Sequence, residues 1–277
     1  MLAQRVATAL VAVPLLVIVL VLGRWALAVV VLGLALLAGI ETFRLLRRAG
    51  YPAMAGLGTT IGALLVLDAA LFGPGDGKGL LIIVTGLIVA AFGAFLRQDP
   101  RDGLATWVTT VFGGLYIGLL GFLLRLVSTD GAGDPSTALG GLFDPGRWWL
   151  VVAVLGVWAY DTGAYLAGRV IGGPKFLTFI SPSKTWAGAV GGLLAATGVA
   201  GVLLAGLGRP PGEALLLGPL IALAAQAGDL AESMLKRAAG AKDSGTLFPG
   251  HGGVLDRLDS LLFAGPVVYL YVFAVVR

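Results

Sequence analysis

The sequence predicts an all-α, polytopic integral membrane protein with about nine transmembrane helices and a cytoplasmic N-terminus. Three observations predict it. Of 277 residues, 58% are hydrophobic and only 12% charged, against about 25% charged in a soluble domain. The mean hydropathy is +0.96. A single core cannot absorb that much apolar surface, so most of it must face lipid. The third observation is the sidedness of the cations, described below.

A spanning helix needs about 20 apolar residues. Such runs fall at roughly 4–22, 25–43, 55–72, 79–96, 104–127, 148–168, 187–207, 214–232 and 258–276. The first run has no A-x-A-like cleavage site and others follow it at once, so it reads as a span and not as a removable leader. Breakers separate the runs: "GYPAMAG" (50–56), "FGPGDGKG" (72–79), "RQDPRDG" (97–103) and "GRPPGE" (208–213). With the N-terminus inside, thirteen of the nineteen Lys and Arg residues lie on the inner side. Five lie outside: Arg24, Lys78, Arg147, Arg209 and Arg277. The positive-inside rule therefore sets the orientation. The loop "STDGAGDPSTALGGLFDPGR" (128–147) faces out and reads as an acidic connector.

Residues 1–147 form an N-terminal set of membrane helices with no dense polar constellation in the spans. Asp68 and Arg125 read as isolated charges near helix ends, accommodated by snorkelling or a local hydrogen bond. Trp148 and Trp149 read as an interfacial belt. Residues 148–277 differ, and read as the catalytic region with a site on the cytoplasmic face.

Three polar constellations lie there. The first is "WAYDTGAYLAGRVIGG" (158–173). Asp161 interrupts an apolar span, where a charge is costly and is either paired or lines a wet cavity. The second is "FISPSKTWAGAVGG" (179–192), which opens a long apolar helix. Ser181, Ser183 and Thr185 can cap that helix, and its free N–H groups with Lys184 also make an anion pocket. The third starts with "QAGDLAESMLKR" (226–237). Helical spacing brings Asp229, Glu232, Ser233, Lys236 and Arg237 together, with Glu232 and Lys236 at ion-pair spacing. The glycine-rich "AAGAKDSGTLFPGHGG" (238–253) follows as a loop able to fold closely around a ligand. "VLDRLDS" then places Asp256, Arg257 and Asp259 at the start of the last span.

Asp229 and Asp256 flank the loop and can present two carboxylates to one point. That suits Mg²⁺, which keeps waters and binds substrate phosphates. Lys236, Lys242 and Arg257 then balance the remaining phosphate charge. One histidine and no cysteine exclude the usual zinc sets, disulfides and a cysteine nucleophile. No Walker A loop and no G-x-S-x-G elbow is present. Glycine, 44 of 277 residues, is roughly twice its usual share of about 7%. Close helix packing accounts for many of these, and ligand approach for some near the motifs. Cations, carboxylates and glycines on one face point to phosphoryl or nucleotidyl transfer from a cytosolic nucleotide to a lipid.

The closing stretch resembles the signature of the phosphatidate cytidylyltransferase (CDP-diacylglycerol synthase) family. Ser233, Leu235, Lys236, Arg237, Lys242, Asp243, Gly245, Phe248, Pro249, His251, Gly252, Gly253, Asp256, Arg257 and Asp259 carry it. "DTGAY" and "SPSKTWAG" are also similar to family motifs, although Ser183 and Ala187 stand where relatives often carry other polar or charged residues. The resemblance is best over 158–277.

It implies that CTP and phosphatidic acid give CDP-diacylglycerol and pyrophosphate, by Mg²⁺-assisted in-line attack of the lipid phosphate on the CTP α-phosphorus. Asp229 and Asp256 are then the metal ligands, with a second cation as an option. Lys242, Asp243 and His251 complete the catalytic set. Asp161, Ser183, Lys184, Thr185, Ser233, Lys236, Arg237, Arg257 and Asp259 bind substrate. The expected partners are CTP, phosphatidic acid and the bilayer, not nucleic acid. A homodimer is implied as well. The short, signal-free chain and its 14 Arg against 5 Lys point to a bacterial inner membrane. Two other readings remain open: a CTP-dependent polyprenol or lipid kinase, and a transporter. The transporter reading predicts midplane charges and pseudo-symmetric halves, and neither is visible in the sequence.

Overall fold

The computed structural model describes residues 14, 16–73, 75–129, 134, 136–137, 139–143, 145–247 and 252–276. Its helices are α1 Arg24–Arg48, α2 Ala55–Leu71, α3 Gly79–Ala94, α4 Pro100–Gly118, α5 Gly121–Val127, α6 Pro145–Val170, α7 Trp186–Gly206, α8 Ala214–Ala238 and α9 Leu255–Tyr271. Residues 16–22 are also helical. A 3₁₀ turn, Pro211–Glu213, leads into α8, and π-helical Val272–Val276 extends α9.

Among the described residues, six helical stretches are long and apolar enough to cross a membrane. They are Arg24–Arg48, Pro100–Val127, Gly146–Val170, Trp186–Gly206, Pro211–Ala238 and Leu255–Val276. Helices α2 and α3 are apolar but shorter, at 17 and 16 residues, about 25 Å at the helical rise. Large apolar side chains such as Val29, Leu194, Val202 and Leu215 point outward, as a surface against lipid requires. The chain is an all-α polytopic membrane protein. The expected span at 4–22 lies largely outside the described residues.

The expected 104–127 span is broken by a turn at Leu119 and Leu120. There the backbone tightens to Leu120 N–Ile117 O and Leu123 N–Leu120 O bonds of 3.1 Å. The cause is close packing on α2. A Cβ at Gly118 would lie 2.5 Å from Leu65 Cδ1, and one at Gly121 would lie 3.2 Å from Leu65 O.

Helix α6 packs along α7, α7 along α8, and α8 along α9, while α2 packs against α1 and α4. Helix α1 also reaches α8 and α9, and α5 reaches α6 and α9. Small residues set the α6–α7 crossing. A Cβ on Gly163 of α6 would sit 2.6 Å from Ala195 Cβ and 2.7 Å from Gly191 O of α7, so the two backbones touch.

Two sequence expectations are corrected at one end of the bundle. Asp68 and Arg125 are not isolated: they form an ion pair at 2.5 Å. Arg125 also donates to Phe72 O and Gly73 O, at 2.9 and 2.6 Å, and Lys78 N donates to Asp68 at 2.6 Å. The pair closes the α2–α3 loop onto α5. Trp148 and Trp149 are no interfacial belt, because both are buried. Trp149 packs edge-on to Tyr271 under the Arg209 guanidinium. Arg209 in turn pairs with Glu213 at 2.9 Å, and Glu213 accepts from Tyr271 Oη at 3.0 Å.

Candidate active site

At the other end of the bundle, the loop between α6 and α7 is tied down by an antiparallel bridge between Lys175 and Thr185. Thr185 is the N-cap of α7: its backbone is extended and its Oγ1 accepts from Gly188 N at 3.1 Å. The capping expected of Ser181, Ser183 and Thr185 therefore falls to Thr185, and the two serines line a cavity of about 480 Å³ instead. Asp161 and Arg169 of α6, Lys184 of the loop, and Gln226 and Asp229 of α8 share that cavity. The "DTG", "SPSK" and "QAGD" motifs thus converge. Lys184 Nζ closes the loop onto α8 by pairing with Asp229 Oδ2 at 2.5 Å. Ser233, one turn on, donates to Asp229 Oδ1 at 3.2 Å.

The second part of the site lies between α8 and α9. The two helices meet at Gly228, where a Cβ would be 3.1 Å from Ser260 Cα. That contact sets the carboxylate-bearing turns of both helices side by side. Lys236 is the bridge. Its ammonium contacts Glu232 one turn back and Asp256 Oδ1 at 2.6 Å on α9. Asp256 Oδ2 accepts from Ser244 N, Ser244 Oγ and Gly253 N, each at 2.8 Å. The glycine loop is thereby folded back on the start of α9. Asp259 takes the N–H of Ser260 at 2.6 Å.

Other expected residues sit differently. Arg237 donates to Ile180 O at 3.2 Å and Ala241 O at 3.3 Å, so it pins the "SPSK" segment and the end of α8. Lys242 and Asp243 are exposed on the loop, and Arg257 is exposed on the first turn of α9. His251 lies outside the described residues, as do Phe248, Pro249 and Gly250.

The sequence reading missed several side chains, Ser244 among them. Tyr160 Oη donates to Gln226 at 2.5 Å, and both line the cavity. The larger omission is Glu41 of α1. It is 6% exposed and accepts from Ser244 Oγ at 2.9 Å, Val254 N at 3.1 Å and Leu255 N at 2.8 Å. One carboxylate of the first half thus joins the polar network of the second. The signal was present: a lone carboxylate in the apolar run 25–43 is costly unless partnered, the same argument that singled out Asp161.

The charges define what the site can do. Asp161, Asp229 and Asp259 lie within electrostatic reach of one another, and Glu232 within reach of Asp256 and Asp259. Lys184 and Lys236 are ion-paired with this acidic group. Glu232 Oε1 is buried without a hydrogen-bond partner among the described residues. Among the described residues the acidic group offers oxygen ligands, which fit a hard divalent cation such as Mg²⁺. Among the described residues no three acidic or histidine side chains form a ready cage, so waters and substrate phosphates would fill the remaining positions. Lysines paired with carboxylates are equipment for a phosphate-handling centre.

The comparisons agree with that chemistry. The chain is 35% identical over 292 aligned residues to a phosphatidate cytidylyltransferase of a Synechocystis species, covering 97% of this chain and 96% of that protein. It is 38% identical over 213 residues to the Brucella suis phosphatidate cytidylyltransferase, 76% of this chain and 69% of the relative. A chloroplastic phosphatidate cytidylyltransferase of Arabidopsis thaliana matches at 33% over 90% of this chain and 66% of the relative. The model of the cytidylyltransferase family matches residues 3–275, and the chain belongs to that family.

Proposed function

We propose that this protein joins CTP to phosphatidic acid, giving CDP-diacylglycerol and pyrophosphate. The observation that carries the reading is the convergence of three polar motifs at one end of an apolar bundle. There the Lys184–Asp229 and Lys236–Asp256 pairs hold two ammonium groups beside two carboxylates. Family membership narrows phosphate chemistry to cytidylyl transfer, and the relatives' names supply the lipid acceptor.

An oxygen of the lipid phosphate forms a bond to the α-phosphorus of CTP while the α–β bridging P–O bond breaks. Pyrophosphate carries away the electron pair. A phosphomonoester is already anionic near neutral pH, so no general base is needed, and the rate rests on positioning and charge neutralisation. Lys184 and Lys236 neutralise Asp229 and Asp256 before the nucleotide arrives, then transfer to its phosphates. This frees both carboxylates as ligands for Mg²⁺, with a second cation in reach of the same acidic group. When bound, Mg²⁺ supplies charge stabilisation for the transferring and leaving phosphates. Ser183 and Thr185 border the phosphate wall, and Lys242 and Arg257 add cations to it. Asp243 and Asp259 orient those cations or a metal-bound water, and the role assigned to His251 is to contact a phosphate or fix the glycine loop.

The proposal includes a cytoplasmic active site in a bacterial inner membrane, supported by the positive-inside count, and the homodimer that the family resemblance implies. The test is pyrophosphate release by detergent-purified protein given CTP, Mg²⁺ and phosphatidic acid, each omitted in turn. Release that needs all three, with CDP-diacylglycerol recovered, is expected. CTP consumption with a prenol alone would instead indicate a lipid kinase, and liposome flux without nucleotide turnover a transporter.

A further inference from the structure

Glu41 is an unusual buried carboxylate. Two backbone N–H groups and one hydroxyl donate to it. The two amides belong to Val254 and Leu255, the N-cap and the first residue of α9. Val254, the N-cap, offers no side-chain cap of its own. The free N–H groups of a helix start are normally met by nearby side chains such as Ser, Thr, Asp or Asn. Here the carboxylate comes from α1, more than two hundred residues away. The partial positive charge at the helix start offsets part of the cost of burying it.

Asp256 is the second residue of the helix that Glu41 caps. Ser244 links the two carboxylates: its single hydroxyl proton lies between Glu41 Oε2 at 2.9 Å and Asp256 Oδ2 at 2.8 Å. Only one can receive it at a time. When Glu41 takes the proton, a lone pair of Asp256 is released. The surrounding backbone is shaped to admit the glutamate, because a Cβ on Gly245 or Gly253 would overlap its carboxylate.

We infer that Glu41 is a positioning residue for cytidylyl transfer: it caps α9 from the N-terminal half, holds Ser244, and so sets the place and free lone pairs of Asp256. This inference rests on the function proposed above. It makes α1 part of the catalytic apparatus and not only a membrane anchor.

The test combines amide hydrogen exchange with steady-state kinetics on the full chain, for Glu41→Gln, Glu41→Asp, Ser244→Ala and the Glu41→Gln/Ser244→Ala double variant. In Glu41→Gln, exchange across 252–257 is expected to quicken by about tenfold or more while the start of α7 is unchanged. The kcat is expected to fall about 100-fold, the cost of a displacement on the order of 1 Å. The KM for phosphatidate should stay within about twofold, since no lipid contact is removed. The double variant should lose little more than Glu41→Gln alone, because both changes break one link. Unchanged exchange, wild-type kcat or additive losses would each overturn the inference. If Glu41→Gln fails to fold, Glu41→Asp decides: it keeps the charge but falls short by one methylene, and wild-type exchange and kcat there overturn the idea equally. Absence of turnover in the wild type would remove the proposed function while leaving the exchange result to judge the cap.

Discussion

Lys184, on the loop before α7, and Asp229, on α8, are joined at 2.5 Å, and both line the cavity. Neither helix alone makes this pair; the Thr185 cap delivers the lysine and the Gly228 crossing helps to place the aspartate. Both side chains keep some exposure, at 15% and 33%, so the pair contributes no more than about 1 kcal/mol to stability. Its value lies in holding a cation where a triphosphate docks. Lys184→Met is therefore expected to leave the thermal unfolding midpoint nearly unchanged. It should lower kcat/KM for CTP by about 100-fold. A variant with wild-type kcat/KM would remove Lys184 from the phosphate site.

Asp256 makes a sharper case. Lys236 meets its Oδ1, and two backbone amides and a hydroxyl meet its Oδ2. An asparagine can keep its oxygen toward the amides, but its own NH₂ then faces the Lys236 ammonium. Shape survives and charge does not. Asp256→Asn is expected to reduce pyrophosphate release by about 10³-fold or more, in protein that still inserts and elutes as the wild type does. Near-normal release would exclude Asp256 as a metal ligand.

Much of this was legible in the sequence, because lipid imposes simple rules. Apolar runs of spanning length and Gly/Pro breakers located α1–α4 and α6–α9 closely. Charged residues inside those runs announced Asp161 and the α8–α9 cluster. What the sequence hid depends on which helices touch. The pairing of Asp68 with Arg125 joins positions 57 apart, and the reach of Glu41 to Leu255 spans 214. No local spacing encodes either. The burial of Trp149 was hidden for the same reason, since its cover comes from Arg209 and Tyr271.

Asp68 and Arg125 lie at the end of the bundle away from the cavity, and their partners are the α2–α3 loop carbonyls and amide. Their role is structural. Arg125→Met leaves Asp68, with its side chain 4% exposed, as an uncompensated charge at a cost of about 3–5 kcal/mol. A lower unfolding midpoint is expected, with kcat and both KM values near wild type in the folded fraction. A selective loss of kcat would instead tie this end of the bundle to catalysis.

Lys236 separates stability from function within one residue. Its ammonium is the cation beside Glu232, whose side chain is fully buried and whose second oxygen has no hydrogen-bond partner among the described residues. Lys236→Met strands that carboxylate and should cost about 3–5 kcal/mol. Adding Glu232→Leu removes the stranded charge, and a well-packed apolar pair in place of a buried ion pair is often neutral or stabilising. The double variant is therefore expected to regain most of the lost unfolding midpoint. Activity should not return with it, because Asp256 has still lost its lysine and the triphosphate has lost a cation. Measuring midpoint and pyrophosphate release on both variants decides the matter. Recovery of the two together would mean that Lys236 serves only to neutralise Glu232, and that the phosphate-binding role belongs to Lys184 and the loop cations instead.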